Sequence, residues 1–137
     1  MATIETVYLG DMRTQATHLQ SGATITTDAP TDNNGKGEAF SPTDMVAAAL
    51  GSCMLTIMDM AARRHDIDLR GTRLEIQKVM AAEPRRIAEI KIDFYIPGDY
   101  PQKDKLILER AAETCPVHKS LHPDLRQTIT YHYGARP

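Results

Sequence analysis

Apolar and polar positions alternate most cleanly over residues 89–96. Ile90, Ile92, Phe94 and Ile96 face one way, and Glu89, Lys91, Asp93 and Tyr95 the other. Period-2 alternation of this kind marks an antiparallel sheet with one wet face. Pro97-Gly98 ends the run. Leu74 and Ile76 alternate in the same way with Arg73, Glu75 and Gln77, and Glu83-Pro84-Arg85 between the two runs reads as a turn. Ile129, Tyr131 and Tyr133 alternate with Thr130 and His132, which predicts a last strand over residues 128–133. The first thirty residues predict three Thr-rich strands over 4–9, 12–19 and 23–27, broken by Gly10-Asp11 and Ser21-Gly22. Residues 28–40 form a loop, with Asn34-Gly35 and Gly37 suited to positive φ. That loop is long for a connection, a length more typical of functional loops.

The period changes at Ser41. Ser41 can cap a helix, Pro42 fits its first position and Asp44 completes a capping box. Residues 45–58 then carry no charge, so a helix there is apolar all round and is expected to be buried on every side. Ala47, Ala48, Ala49, Gly51 and Ser52 are small enough for close approach by another helix. Covering such a helix in a chain of this size calls for a partner subunit, hence a homodimer. Arg63, Arg64 and His65 place positive charge where the helix dipole favours it. Pro101 opens a second helix, with Leu108, Ala111, Ala112 and Cys115 on a shared face, and Pro116 starts a short helical turn through Leu121. The order strands, helix, strands, helices, strand predicts an α+β fold. A length of 137 residues, without internal repeats, predicts a single domain over 1–137.

Charge narrows the function. Sixteen Lys+Arg against 18 Asp+Glu give a net charge of -2, which argues against a dedicated nucleic-acid binder. Charged residues are 25% and apolar residues 42%, the balance of a globular chain. No uncharged run reaches the roughly 18 residues of a membrane span. Met1-Ala2-Thr3-Ile4-Glu5 shows neither a basic nor an apolar signal region, so a soluble cytoplasmic protein is expected. In that compartment a disulfide is more often transient and catalytic than structural.

The two cysteines are the main candidates for chemistry. Cys53 sits mid-helix among Ala49, Gly51, Ser52, Met54 and Ile57, where a Cys is ordinarily a small buried hydrophobe. Cys115 directly precedes Pro116 and would cap the turn that follows. Backbone N–H groups aimed at its sulfur would favour the thiolate and lower its pKa. His118 could add charge or a hydrogen bond. Cys53, Cys115, His118 and His122 also invite a zinc reading, but structural zinc normally uses closely spaced pairs, and Cys53 has no second ligand near it in sequence. No glycine-rich phosphate loop is present. Arg63-Arg64 and Arg85-Arg86 read as solvated ends, and Met45, Met54, Met58 and Met60 as core packing.

The cysteine segments carry a family resemblance. Ser41-Pro-Thr-Asp-Met-Val-Ala-Ala-Ala-Leu-Gly-Ser-Cys53 resembles the first signature of the OsmC/Ohr family, and Cys115-Pro-Val-His-Lys-Ser-Leu121 resembles the second. The loop Asn34-Gly35-Lys36-Gly37 and the order of elements fit as well. The resemblance implies an intertwined homodimer of curved antiparallel sheets around two central helices. It implies thiol-dependent reduction of hydroperoxides, organic ones preferred, with Cys53 as peroxidatic thiol and Cys115 as resolving thiol. An external dithiol would reduce the resulting disulfide, and no metal or organic cofactor would be needed. Glu38, Asp44 and His118 are the candidates for a supporting role. The peroxidase branches carry a Glu directly after the signature Pro, where this chain has Thr43, and an Arg in an early loop. Residues 14–38 contain no Arg, and Arg13 falls in a predicted strand, so the activating Arg–Glu pair is expected to be missing.

Three functions remain in competition at this point. The first is a two-cysteine peroxidase. The second is a binding module that holds or senses a small apolar or thiol-reactive ligand. The third is a metal site of Cys and His. None of them involves nucleic acid or a membrane.

Overall fold

The strand whose alternation is cleanest is also the most deeply buried. Ile90, Ile92, Phe94 and Ile96 are at most 1% exposed, and each such side chain gains about 1.5–3 kcal/mol by leaving water. The computed structural model describes residues 1–134. Two compact units divide the chain, residues 1–46 and the remainder.

The first unit holds β1 (Ile4–Gly10), β2 (Arg13–His18) and β3 (Thr24–Asp28) in an antiparallel sheet of that order. Gly10, Asp11 and Met12 all take positive φ (87°, 53° and 62°) to turn β1 into β2. After β3 the loop makes one 3-10 turn, Thr31–Asn33, and returns at Phe40, whose carbonyl accepts from the Asp28 N–H at 3.0 Å. Apolar side chains project from both faces of β1: Ile4 and Tyr8 on one, Val7 and Leu9 on the other, each more than half exposed.

Helix α1 (Pro42–Arg63) begins in the first unit and continues into the second. The expected capping box forms: the Asp44 N–H donates to Ser41 Oγ at 3.1 Å, and the Ser41 N–H donates to Asp44 Oδ2 at 3.0 Å. At 22 residues α1 is long and apolar enough, by length and composition, to cross a membrane, although its buried side is that of a core helix. Burial on every side is not observed. Ala47, Leu50, Gly51, Met54, Met58, Ala61 and Ala62 are buried, whereas Ala49, Ser52, Thr56 and Met60 form an exposed stripe at helical spacing. Within one chain only one side of the helix is buried.

The second unit contains β4 (Arg73–Ala81), β5 (Arg86–Ile96), α2 (Gln102–Ala112), α3 (Pro116–Ser120) and β6 (Arg126–Tyr133). Its sheet has the order β4-β5-β6. The pair β4–β5 is antiparallel as expected, but β6 runs parallel to β5, so the sheet is mixed. The cause is the connection. Residues 97–125, with α2 and α3, carry the chain back before β6 begins, as a parallel crossover requires. Gly51 sets the closeness of α1 to β4, because a Cβ there would stand 2.6 Å from Ile76 Cδ1 and 3.0 Å from Leu74 Cδ1.

Candidate functional site

Two elements far apart in sequence bring the two sulfurs together. Cys53 lies in the middle of α1, half-buried. Leu108, Ala112 and Cys115 recur at the spacing of one helical face and are all fully buried. The chain then turns at Pro116, leaving Cys115 as the N-cap of α3. Its Sγ accepts from the His118 N–H at 3.3 Å, as the Cys-Pro spacing predicts. Cys53 is near enough to act on Cys115 as a hydrogen-bond partner and as a charge. Both cysteines are free thiols.

The acidity of Cys115 departs from the sequence expectation. Its pKa is raised, not lowered. Burial is the largest cause, and the neighbouring Cys53 sulfur adds to it. The N–H groups of His118 and Val117 oppose the shift without overcoming it. The cap geometry was legible in the sequence, but the depth of burial was not. A short helix end contributes too little to outweigh removal of the sulfur from water.

His118 supports the cap through its backbone. Its ring turns away: Nδ1 is hydrogen-bonded to Gln127 Oε1, and Gln127 Nε2 donates to the His118 carbonyl at 3.3 Å. Gln127 thereby ties α3 to the start of β6, a role with no signal in the sequence. His122, the last member of the zinc reading, is exposed and accepts from the Asp124 N–H at 3.0 Å. No cluster of three or more His, Cys, Asp or Glu suited to a metal occurs among the described residues.

The first unit holds a charge cluster of its own. Arg13 opens β2 and Asp28 ends β3, and the strand register sets them opposite each other. Arg13 Nε donates to Asp28 Oδ1 at 2.6 Å and Nη2 to Oδ2 at 3.2 Å. Asp28 Oδ2 also accepts from the Glu38 N–H at 3.0 Å, and the Glu38 carboxylate stands 3.8 Å from Arg13 Nη2. The Asp28 side chain is fully buried. An Arg held by two acids is therefore present in the first unit. Sequence reading missed Asp28. The available signal was opposite charge at facing positions of two antiparallel strands. Asp44 is occupied by the capping box of α1.

A sequence model of the OsmC-like protein family matches residues 35–130, a span that contains both cysteines. The chain belongs to the OsmC-like family. No curated protein sequence matches this OsmC-like chain. Among solved structures it resembles a candidate osmotic-stress-induced and detoxification-response protein from Psychrobacter arcticus 273-4. The identity is 52%, the TM-score 0.94, and the match covers 96% of each chain. An OsmC-like protein from Mycoplasma pneumoniae shares the fold at 18% identity and TM-score 0.80, over 96% of each chain. The organic hydroperoxide resistance protein OsmC from Legionella pneumophila shares it at 16% identity and TM-score 0.74, over 96% of this chain and 97% of that one. The mixed α+β architecture with two sheets is thus the OsmC-like fold.

Proposed function

We propose that this OsmC-like chain is a thiol-dependent hydroperoxide reductase with Cys53 as peroxidatic and Cys115 as resolving thiol. The observation that carries the reading is the meeting of two free thiols from α1 and the α3 cap. The Cys53 thiolate attacks the terminal peroxide oxygen. The O–O bond breaks, the alkoxide takes a proton and leaves as alcohol, and Cys53 becomes a sulfenic acid. The Cys115 sulfur then attacks the Cys53 sulfur. The S–O bond breaks, hydroxide leaves with the Cys115 proton as water, and a disulfide closes. An external dithiol restores both thiols by two exchanges and is itself oxidised to a disulfide. Met54 beside Cys53 in α1 and Leu50 one turn before it are apolar, which suits an organic hydroperoxide. Two free thiols suit a reducing, cytoplasmic setting.

The test is consumption of cumene hydroperoxide and of hydrogen peroxide by the purified protein with a dithiol reductant. Turnover far above that of free thiol, faster with the organic peroxide, is the expected result. A rate no greater than free thiol removes the reading and leaves the binding module in its place.

The working form is a homodimer. The exposed stripe of Ala49, Ser52, Thr56 and Met60 on α1 and the apolar side chains on both faces of β1 support it. A second copy would cover both without burying any charge on those positions. Sedimentation equilibrium should return twice the chain mass of 15.2 kDa. A single-chain mass at micromolar concentration would refute the dimer while leaving the thiol chemistry untouched.

A further inference from the structure

The turn that follows Cys115 cannot hold itself in place. α3 has five residues, far below the roughly 12–15 at which an isolated helix becomes even marginally stable. Two of its hydrogen bonds stay within the turn: the Lys119 N–H donates to the Cys115 carbonyl at 3.1 Å, and Ser120 Oγ donates to the Pro116 carbonyl at 2.8 Å. They shape the turn without fixing it against the sheet. Pro116 at its first position has no N–H to offer the sulfur. Donation to Cys115 Sγ falls to the amides that follow, and the His118 nitrogen stands 3.3 Å from it. The aim of that amide depends on where residue 118 is held.

Gln127 holds it. It is the second residue of β6 and pairs in register with Ile90, a fully buried residue of the central strand β5. It shares the half-buried face of β6 with Ile129, Tyr131 and Tyr133, so a leucine would suit the position for packing. The glutamine instead takes His118 at two points. Its Nε2 donates to the His118 carbonyl at 3.3 Å, and its Oε1 is hydrogen-bonded to the ring Nδ1. Each contact fixes the chemistry of the other. A backbone carbonyl only accepts, so the amide nitrogen must face it and the amide oxygen must face the ring. An amide oxygen also only accepts, so Nδ1 carries the proton. The neutral His118 ring is therefore the Nδ1–H tautomer, with its unprotonated nitrogen at Nε2. Protonation of the ring would add a proton at Nε2 and leave both bonds to Gln127 intact.

We propose that Gln127 is a positioning residue for Cys115: it grips His118 by ring and carbonyl and so keeps the His118 N–H on the Cys115 sulfur. The use of that grip rests on the peroxidase reading. In that reaction Cys115 carries negative charge twice. It is the attacking thiolate when the disulfide closes. It is the leaving thiolate when one sulfur of the external dithiol attacks Cys53, the more accessible of the two cysteines, and takes the electron pair of the broken S–S bond. A hydrogen bond donated to the sulfur favours the charged form. Cys115 is fully buried, so water does not replace a lost donor. An amide held in place before the charge appears needs no reorganisation when it does.

Cys53→Ser leaves Cys115 as the only thiol, and its pKa is then read without peroxide, from thiolate absorbance and the pH profile of alkylation. Adding Gln127→Leu should raise that pKa by about one unit, a tenfold loss of thiolate at any lower pH. A role in packing or strand pairing alone would move the melting temperature and not the titration. An unchanged or lowered Cys115 pKa overturns the proposal. A second measurement leaves Gln127 intact and decides the matter if the leucine variant does not fold. In Cys53→Ser protein carrying 15N-labelled histidine, the neutral His118 ring should show its proton on Nδ1, and the His118 amide resonance should move with the Cys115 midpoint. A proton on Nε2, or an amide indifferent to the Cys115 titration, overturns the proposal as well. Neither readout involves turnover, so failure of the peroxidase reading and failure of this grip are separate outcomes.

Discussion

Cys53→Ser should lower peroxide turnover by a factor on the order of a thousand or more, because the variant has no sulfur to attack the O–O bond. Cys115→Ser should fail later and differently. It should consume the first equivalent of peroxide, accumulate the Cys53 sulfenic acid and pass on to sulfinic acid as peroxide is added. The unsubstituted chain, oxidised without reductant, should instead lose two hydrogens and form a Cys53–Cys115 disulfide within one chain. Intact mass and trapping of the sulfenic acid distinguish these products, and non-reducing electrophoresis shows whether the bond joins one chain or two. A disulfide between chains would break the assignment, because the two thiols already meet within a single chain. Closure should also depend on pH with a definite sign. Burial raises the Cys115 pKa, so the thiolate fraction, and with it the closure rate, should climb as pH rises towards that value. A rate that falls over that interval would place the attacking charge elsewhere.

The sequence exposed the site in part, and the division follows from the range of the forces involved. Local rules wrote the α1 cap, since Ser41 and Asp44 are three residues apart and satisfy each other. The same holds for Cys115 at the α3 cap, and alternation located the buried face of β5. Long-range consequences were not written there. Strand direction depends on the path of the connection, so alternation in β6 could not distinguish parallel from antiparallel pairing. The Cys115 pKa depends on how much water the whole unit excludes, and burial reversed the local expectation. Asp28 looked like the start of a loop, and only the β2–β3 register revealed it as the partner of Arg13. Residues 45–58 announced an apolar helix, but composition could not say that one chain would cover only half of it.

Phe94→Ala should cost about 3–5 kcal/mol, a large part of the 5–15 kcal/mol that holds a domain folded. Phe94 is fully buried in the central strand of the β4-β5-β6 sheet. The register sets Leu74 on one side of it and Tyr131 on the other, so its ring joins all three strands on the covered face. Truncation removes the transfer energy of the ring and leaves a cavity that backbone pairing on both sides prevents from closing. Urea unfolding at fixed protein concentration measures the loss, since stability of a dimer varies with concentration. In thermal melts the same loss corresponds to a fall of roughly 6–20 °C. A cost below about 1 kcal/mol would mean the site collapses freely, contrary to close packing around a central strand.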